Sequence, residues 1–196
     1  MKVIGITGGV GSGKSQILEY LNSKYGASIC MADEVARRLQ KKGTACYDAI
    51  VAHFGEEILD ENGELDRPKL AEIVFSNNDE LQVLNSIVHP AVKAEVKKEI
   101  EKEESNNTNL FILESALLIE DDYETFCDEI WYVHVDIETR KKRLIYARGY
   151  SEEKVDSIIA AQLEKKEYMC NCDRVIDNTG VFGEATMQID NIIKDL

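Results

Sequence analysis

The residues with the clearest chemical meaning form a glycine-rich stretch near the N-terminus. Residues 8–15 read Gly-Gly-Val-Gly-Ser-Gly-Lys-Ser and match the phosphate-binding pattern G-x-x-x-x-G-K-[ST]. Glycine lets successive backbone N–H groups turn toward a phosphate chain, because no Cβ atom stands in the way. We therefore predict a nucleoside triphosphate site made of Gly8, Gly9, Gly11, Ser12, Gly13, Lys14 and Ser15.

The last two residues of this loop carry its reactive side chains. The ammonium of Lys14 can reach the β- and γ-phosphates, and the hydroxyl of Ser15 can ligate Mg²⁺. The flanking sequence fits, because residues 2–7 read as a short apolar strand and residues 17–25 repeat at helical spacing before Gly26. Strand, loop and helix in this order place the phosphates at a positively polarised helix N-terminus.

Polar residues also follow the predicted strands. Asp33, Glu114, Asp136 and Asn178 each come at or just after the end of an apolar, strand-type run. Ligands of parallel sheets bind beyond the carboxyl ends of the strands, so all four are candidates for one site. Asp33 has two interpretations. It is either the N-cap of the following helix or a carboxylate that accepts the proton of an attacking hydroxyl.

Basic residues are concentrated in one short segment of an otherwise acidic chain. The cluster lies on one predicted helix and consists of Arg140, Lys141, Lys142, Arg143 and Arg148. This helix is either a solvated basic surface or a lid that brings arginines over a transferring phosphoryl group. The negative net charge of the chain makes the cluster unusual, and Gly149 offers a hinge beside it, so we favour the lid.

The bulk composition limits the possible partners. The chain has 196 residues, 44% of them hydrophobic, with a net charge of −14 and a pI of about 4.7. Nucleic-acid binding needs a basic face, so we expect no nucleic-acid partner. The sequence shows neither a signal peptide nor an apolar stretch long enough for a membrane span, and its five scattered cysteines are typical of reduced thiols. We therefore expect a cytoplasmic protein.

The alternation of strands and helices predicts the fold class. Five apolar runs separated by helical patterns indicate an α/β protein with a parallel, about five-stranded sheet between two helical layers. The stretch 43–109 is mostly helical and long for a connection, so we expect a substrate-binding insertion there. The nucleotide-binding core is predicted to comprise 1–42, 110–136 and 172–196, with a lid at 137–171.

The order of several short motifs resembles one family. The residues that carry the resemblance are the loop 5–15, Ala32-Asp33-Glu34, Leu65-Asp66-Arg67, His89-Pro90, Leu117-Leu118-Ile119-Glu120, Arg143-Leu144 with Arg148, Gln162, and 173–180. Together they resemble dephospho-CoA kinase over nearly the whole chain. The loop alone is shared by many nucleotide-binding proteins, whereas its combination with Asp33, Arg67 and His89 is far more specific.

The resemblance implies a function and a set of roles. It implies a P-loop kinase that uses ATP and Mg²⁺ to phosphorylate the ribose 3′-hydroxyl of dephospho-CoA, the last step of coenzyme A synthesis. It implies Asp33 as the base and Arg143 and Arg148 as lid arginines acting with Lys14. On pattern alone Arg67 and His89 read as a surface arginine and a structural histidine, but the resemblance implies that they bind substrate.

The same resemblance implies that Gln16 and Asn178 belong to the ATP site. The chain departs from the family pattern at three positions, where Met31, Gln16 and Ala116 stand in place of Asp, Thr and Pro. The alternative functions are a nucleoside or nucleotide kinase of the P-loop class and, more remotely, a GTP-binding switch protein. No Asn-Lys pair occurs in the chain, which disfavours the switch. The sequence predicts no oligomeric state.

Overall fold

A five-stranded sheet carries the loops that bear most of the predicted site. The computed structural model describes residues Met1–Leu196. The strands are β1 (Lys2–Thr7), β2 (Ser28–Met31), β3 (Leu110–Glu114), β4 (Glu129–His134) and β5 (Arg174–Asp177). Their order in the sheet is β2-β3-β1-β4-β5, and β1 pairs in parallel with both β3 and β4. The predicted α/β class with a five-stranded parallel sheet is confirmed.

The central strands are apolar because both of their faces are covered. All five residues of β3 are buried, as are the five residues of β1 that follow Lys2. Continuous apolar runs of this kind are typical of parallel strands with helices on both sides of the sheet. Most connections between the strands contain α-helices, and because the strands are parallel, their carboxyl ends and the loops after them meet at one edge.

Nine α-helices connect and flank the strands. They are α1 (Lys14–Tyr25), α2 (Ala32–Leu39), α3 (Ala45–Phe54), α4 (Arg67–Ser76), α5 (Asn78–Ser105), α6 (Ile137–Arg148), α7 (Glu152–Ala160), α8 (Lys165–Asn171) and α9 (Phe182–Lys194). Several begin at a polar residue whose side chain accepts a backbone N–H of the first turn, as Asp136 does for α6 at 2.8 Å. Such caps satisfy donors that the helix itself leaves unpaired.

The chain divides into two compact units. The first contains Met1–Ile29 and Glu103–Leu196, and the second contains Cys30–Lys102. The predicted insertion, 43–109, starts later than the second unit and ends a few residues beyond it. The assignment of the substrate-binding and lid segments stays a prediction.

The second unit has its own core of helices. Ile50 of α3 and Ile58 of a short 3-10 helix are fully buried, and Val96 of α5 is buried as well. Arg38 of α2 forms an ion pair with Glu99 of α5 at 2.5 Å. Burial of these apolar side chains stabilises the unit, whereas a partly exposed ion pair of this kind contributes little.

None of the helices combines the length and the apolar character that crossing a membrane requires.

Candidate active site

The glycine-rich loop joins β1 to α1 through backbone conformations that favour glycine. Gly8, Gly11 and Gly13 have φ angles of 146°, 86° and 86°. Gly13 is the N-cap of α1 in the left-handed conformation, which costs other residues about 1–2 kcal/mol. The loop thus turns back on itself and presents the N-terminus of α1, the arrangement that binds a phosphate chain.

Neighbouring side chains lie so close to the loop that a Cβ atom would not fit. A Cβ on Gly13 would stand 2.4 Å from Asn178 Nδ2, and one on Gly9 would stand 2.3 Å from Arg140 Nη2. These glycines are therefore required both for backbone conformation and for the approach of polar groups from later parts of the chain.

Lys14 is held by two acceptors. Its ammonium donates to Gly8 O at 2.7 Å and lies 3.5 Å from Glu114 Oε1. Glu114 is the last residue of β3 and is buried. Both contacts hold the lysine over its own loop, the place from which it can reach the β- and γ-phosphates. The sequence marked Glu114 only as a polar strand end, and its pairing with Lys14 depends on the parallel contact of β1 with β3.

Asn178 connects the end of β5 with the loop. Its backbone N–H donates to His134 O at 2.8 Å, and its side-chain Nδ2 donates to Ser12 O at 2.8 Å. Asn178 and Ser12 are both about 1% exposed. The side-chain amide thus holds the loop at Ser12. The predicted place of Asn178 in the ATP site stays a prediction.

Two predicted lid arginines have different surroundings. Arg143 Nη2 donates to Asn178 O at 2.8 Å, and its Nη1 is buried without a hydrogen-bond partner. Arg148 is the last residue of α6 and is exposed. The structure therefore brings Arg143 beside the phosphate loop, while Arg148 lies at the solvent-facing end of the helix.

A third arginine of α6, Arg140 of the predicted basic cluster, also reaches the loop, although the sequence assigned it no role of its own. Arg140 Nε donates to Val10 O at 3.2 Å, and its Nη2 donates to Gln162 Oε1. Arg140 is three residues before Arg143, so both lie on one helix face. The three-residue spacing of Arg140 and Arg143 was the feature of the sequence that could have indicated a shared position beside the loop.

The predicted residues of the second unit are described within that unit. Asp33 is exposed in the first turn of α2, where Met31 is the N-cap and no side chain caps the helix. The interpretation of Asp33 as an N-cap is therefore wrong, because the helix starts at Ala32 and its N-cap lies two residues before Asp33. Arg67 is exposed at the first position of α4 and donates to Gln40 Oε1 at 3.0 Å, while His89 is half-buried in α5.

The side chains available for a metal ion are few. The structure contains no cluster of three or more His, Cys, Asp or Glu residues able to hold one. Ser15 and Gln16 are exposed in the first turn of α1. A hydroxyl in that position fits a Mg²⁺ ion held mainly by phosphate oxygens and water rather than by a protein cage.

Comparison with known proteins agrees with the geometry. The family described as dephospho-CoA kinase matches residues 2–184. A dephospho-CoA kinase of Carboxydothermus hydrogenoformans is 38% identical over 194 residues, 99% of this chain and 94% of the relative. One of Geobacillus kaustophilus is 39% identical over 191 residues, 97% of this chain and 94% of the relative.

Solved structures share the fold at lower identity. A dephospho-CoA kinase from Campylobacter jejuni superposes with a TM-score of 0.72 at 23% identity, covering 100% of this chain and 99% of that one. A shikimate kinase from Acinetobacter baumannii gives a TM-score of 0.53 at 13% identity, covering 100% and 94% of the two chains. The fold is thus that of P-loop kinases, and the match over residues 2–184 shows that the chain belongs to the dephospho-CoA kinase family.

Proposed function

We propose that this protein transfers the γ-phosphoryl group of ATP to the ribose 3′-hydroxyl of dephospho-CoA, giving coenzyme A and ADP. The observation that carries the proposal is the family match over residues 2–184. The phosphate loop agrees with it, because Lys14 is already held over its own glycines. In the reaction a bond forms between the acceptor oxygen and the γ-phosphorus, and the bond to the β-phosphate oxygen breaks.

The loop binds and polarises the triphosphate. Its backbone N–H groups and the N-terminus of α1 face the phosphates, and Lys14 neutralises charge on the β- and γ-phosphates. Arg143, anchored to Asn178 O, and Arg148 at the end of α6 add positive charge where the transferred group becomes more negative.

Asp33 accepts the proton of the attacking 3′-hydroxyl. Its carboxylate is exposed and does not cap α2. The alternative interpretation of Asp33 as a helix cap therefore does not compete with a role as base. A positioned carboxylate also orients the hydroxyl in line with the phosphorus. Arg67 and His89 bind the acceptor in this proposal, which rests on their resemblance to the family motifs.

Mg²⁺ is the cofactor of the proposed reaction. It would supply positive charge that offsets the charge developing on the phosphates. The Ser15 hydroxyl, exposed in the first turn of α1, would contribute the protein ligand. A cytoplasmic location remains part of the proposal, and five free cysteines agree with a reducing compartment.

A coupled assay of ADP formation tests the function. With Mg²⁺ and ATP present, we expect ADP release to depend on added dephospho-CoA and to yield coenzyme A in equal amount. A panel of adenosine, AMP and shikimate at the same concentrations covers the alternative of a nucleoside or nucleotide kinase. Faster turnover of a panel member than of dephospho-CoA would overturn the proposal.

A further inference from the structure

Arg140 is a buried cation whose partners are uncharged. The residue is 9% exposed, and burial lowers the pKa of its guanidinium. Its hydrogen bonds go to the backbone carbonyl of Val10 and the side-chain amide of Gln162. Neither acceptor carries a charge, and no carboxylate forms an ion pair with it.

This arrangement is unfavourable unless an anion completes it. Buried charges in proteins are paired or bind ions, because an uncompensated charge loses its hydration without a replacement. A guanidinium has five N–H donors in a planar fork that matches phosphate oxygens. The two protein acceptors leave donors of Arg140 for a ligand.

The guanidinium borders a cavity beside the phosphate loop. The cavity measures about 710 Å³ and is lined by Tyr132, His134, Arg140, Gln162 and Lys165 among others. Because a Cβ on Gly9 would stand 2.3 Å from Arg140 Nη2 and 2.6 Å from Gln162 Oε1, the cavity wall and the start of the loop are in direct contact.

A second cation lies on the cavity wall. Lys165 Nζ is 3.1 Å from His134 Nε2, and burial together with the charge of Lys165 lowers the pKa of His134. The charge of Lys165 thus disfavours the protonated form of the His134 ring. Both side chains, like Arg140, lie within the first compact unit.

The carboxylates at the cavity serve helix ends. Asp136 is the N-cap of α6 and accepts from Thr139 N at 2.8 Å and Thr139 Oγ1 at 2.7 Å. Glu164 is the N-cap residue of α8. A carboxylate at a helix N-terminus interacts with the partial positive charge of that helix, and neither of these two is hydrogen-bonded to Arg140, which donates to Val10 O and Gln162 Oε1.

We propose that this cavity binds the diphosphate group of the acceptor, with Arg140 as its main contact and Lys165 as its second. The inference rests on the proposed function and extends it. The triphosphate of ATP is accounted for by the loop and Lys14, whereas no cation of the first compact unit has been assigned to the diphosphate that links the two halves of dephospho-CoA. The cavity, with a buried guanidinium at the edge of the loop, supplies one.

The test compares two acceptors that share the reacting hydroxyl. Dephospho-CoA carries the diphosphate, and adenosine lacks it. The measured quantity is kcat/KM for dephospho-CoA divided by kcat/KM for adenosine, at saturating ATP. For Arg140→Met we expect this ratio to fall about 10- to 100-fold, the effect of losing a hydrogen bond to a charged group. For Arg140→Lys, which keeps the positive charge but loses the planar guanidinium, the ratio should fall less.

A surface pair of variants avoids any folding problem at Arg140. Lys165→Met should lower the same ratio, and its matched control Lys166→Met should not, because Lys166 is an exposed neighbour that does not line the cavity. Calorimetric binding of dephospho-CoA without ATP should weaken in Lys165→Met only.

Each outcome decides the inference. Equal losses with both acceptors would assign Arg140 to the transferred phosphoryl group or to loop structure and overturn the diphosphate site. An unchanged ratio in both Arg140→Met and Lys165→Met would overturn it as well. Failure of the proposed function is distinct, because the wild-type protein would then show no turnover of dephospho-CoA.

Discussion

Lys14 Nζ lies 3.5 Å from Glu114 Oε1, so an ion pair joins the first residue of α1 to the last residue of β3. The lysine side chain is 14% exposed and the glutamate side chain 9%. Water screens such a pair poorly, and the carboxylate helps to keep the ammonium over the loop. The same lysine therefore contributes to both the stability of the apo site and the binding of phosphate.

Replacing Lys14 separates these two contributions. We expect Lys14→Ala to lower kcat by about 10²–10³-fold, because it removes a charge that stabilises the transferring group. It should also lower the free energy of unfolding, since Glu114 loses its cationic partner. In Lys14→Ala/Glu114→Gln the stability should recover and the activity should not. Urea unfolding and the ADP assay measure the two effects, with exposed Lys97→Ala as the control. Near-normal turnover of folded Lys14→Ala would contradict the assignment.

Asp33 is tested by an amide of the same shape. We expect Asp33→Asn to keep its fold and its calorimetric affinity for Mg²⁺–ATP while turnover falls by at least about a hundredfold, because a general base is worth ~10²–10⁴ in rate. Glu34→Gln is the matched control, since both residues are exposed acids in the first turn of α2. Loss of ATP binding along with turnover would instead make Asp33 a metal-binding or structural residue.

Arg143 and Arg148 are expected to act on transition-state charge. Alanine at either position should lower kcat by roughly one to three orders of magnitude. Arg143→Ala should also weaken ATP binding, because it loses the hydrogen bond to Asn178 O. Arg148→Ala should leave thermal stability unchanged, because Arg148 is exposed. Lys142→Ala on the same helix is the control. If both arginine variants keep wild-type kcat, neither arginine acts on the transferred phosphoryl group, and the prediction of a lid is wrong.

Gly13 and Gly26 form a natural comparison at the two ends of α1. Both have a left-handed backbone, with φ of 86° and 65°, so alanine costs about 1–2 kcal/mol of backbone strain at each. Only at Gly13 does the new Cβ meet a neighbour, Asn178 Nδ2 at 2.4 Å, whereas nothing lies within 4 Å at Gly26. We expect Gly13→Ala to be the less stable variant and to lose ATP binding. Equal unfolding free energies would contradict the close packing of Asn178.

Asp190 predicts a pH dependence of stability. It accepts hydrogen bonds from the hydroxyls of Tyr20 and Tyr25 and pairs with Lys24, each at 2.6 Å. Lys24 and the two hydroxyls hold the pKa of Asp190 well below its ordinary value of 3.8. The unfolded chain therefore takes up a proton first as the pH falls, and the stability present above pH 3.8 is lost below it.

The variant Asp190→Asn lacks that proton uptake. Its deficit in unfolding free energy relative to wild type should be largest at neutral pH and should shrink as the pH falls below the ordinary carboxyl range. Asp195→Asn, at the exposed end of α9, removes one carboxylate without these partners and serves as the control. A deficit that stays constant with pH would show that the ionised carboxylate of Asp190 does not stabilise the contact between α1 and α9.

The sequence by itself determined the phosphate loop and the class of the fold. Residues 8–15 are contiguous, and their function depends on local backbone conformation, so composition and order reveal it. The apolar runs of β1 and β3 and the helical repeats between strands likewise follow from local periodicity. The resemblance to the dephospho-CoA kinase family also depended on short motifs that follow one another in a fixed order along the chain.

Only the tertiary structure decided which groups surround the loop. Glu114 reaches Lys14, Asn178 reaches Ser12, and Arg140 reaches Val10 across separations that no local pattern spans. These partners meet because β3 and β4 flank β1 and β5 pairs with β4, which brings distant strand ends and the start of α6 to one edge of the sheet. Pairing across a sheet depends on the whole chain being packed, and a sequence read residue by residue does not contain that geometry.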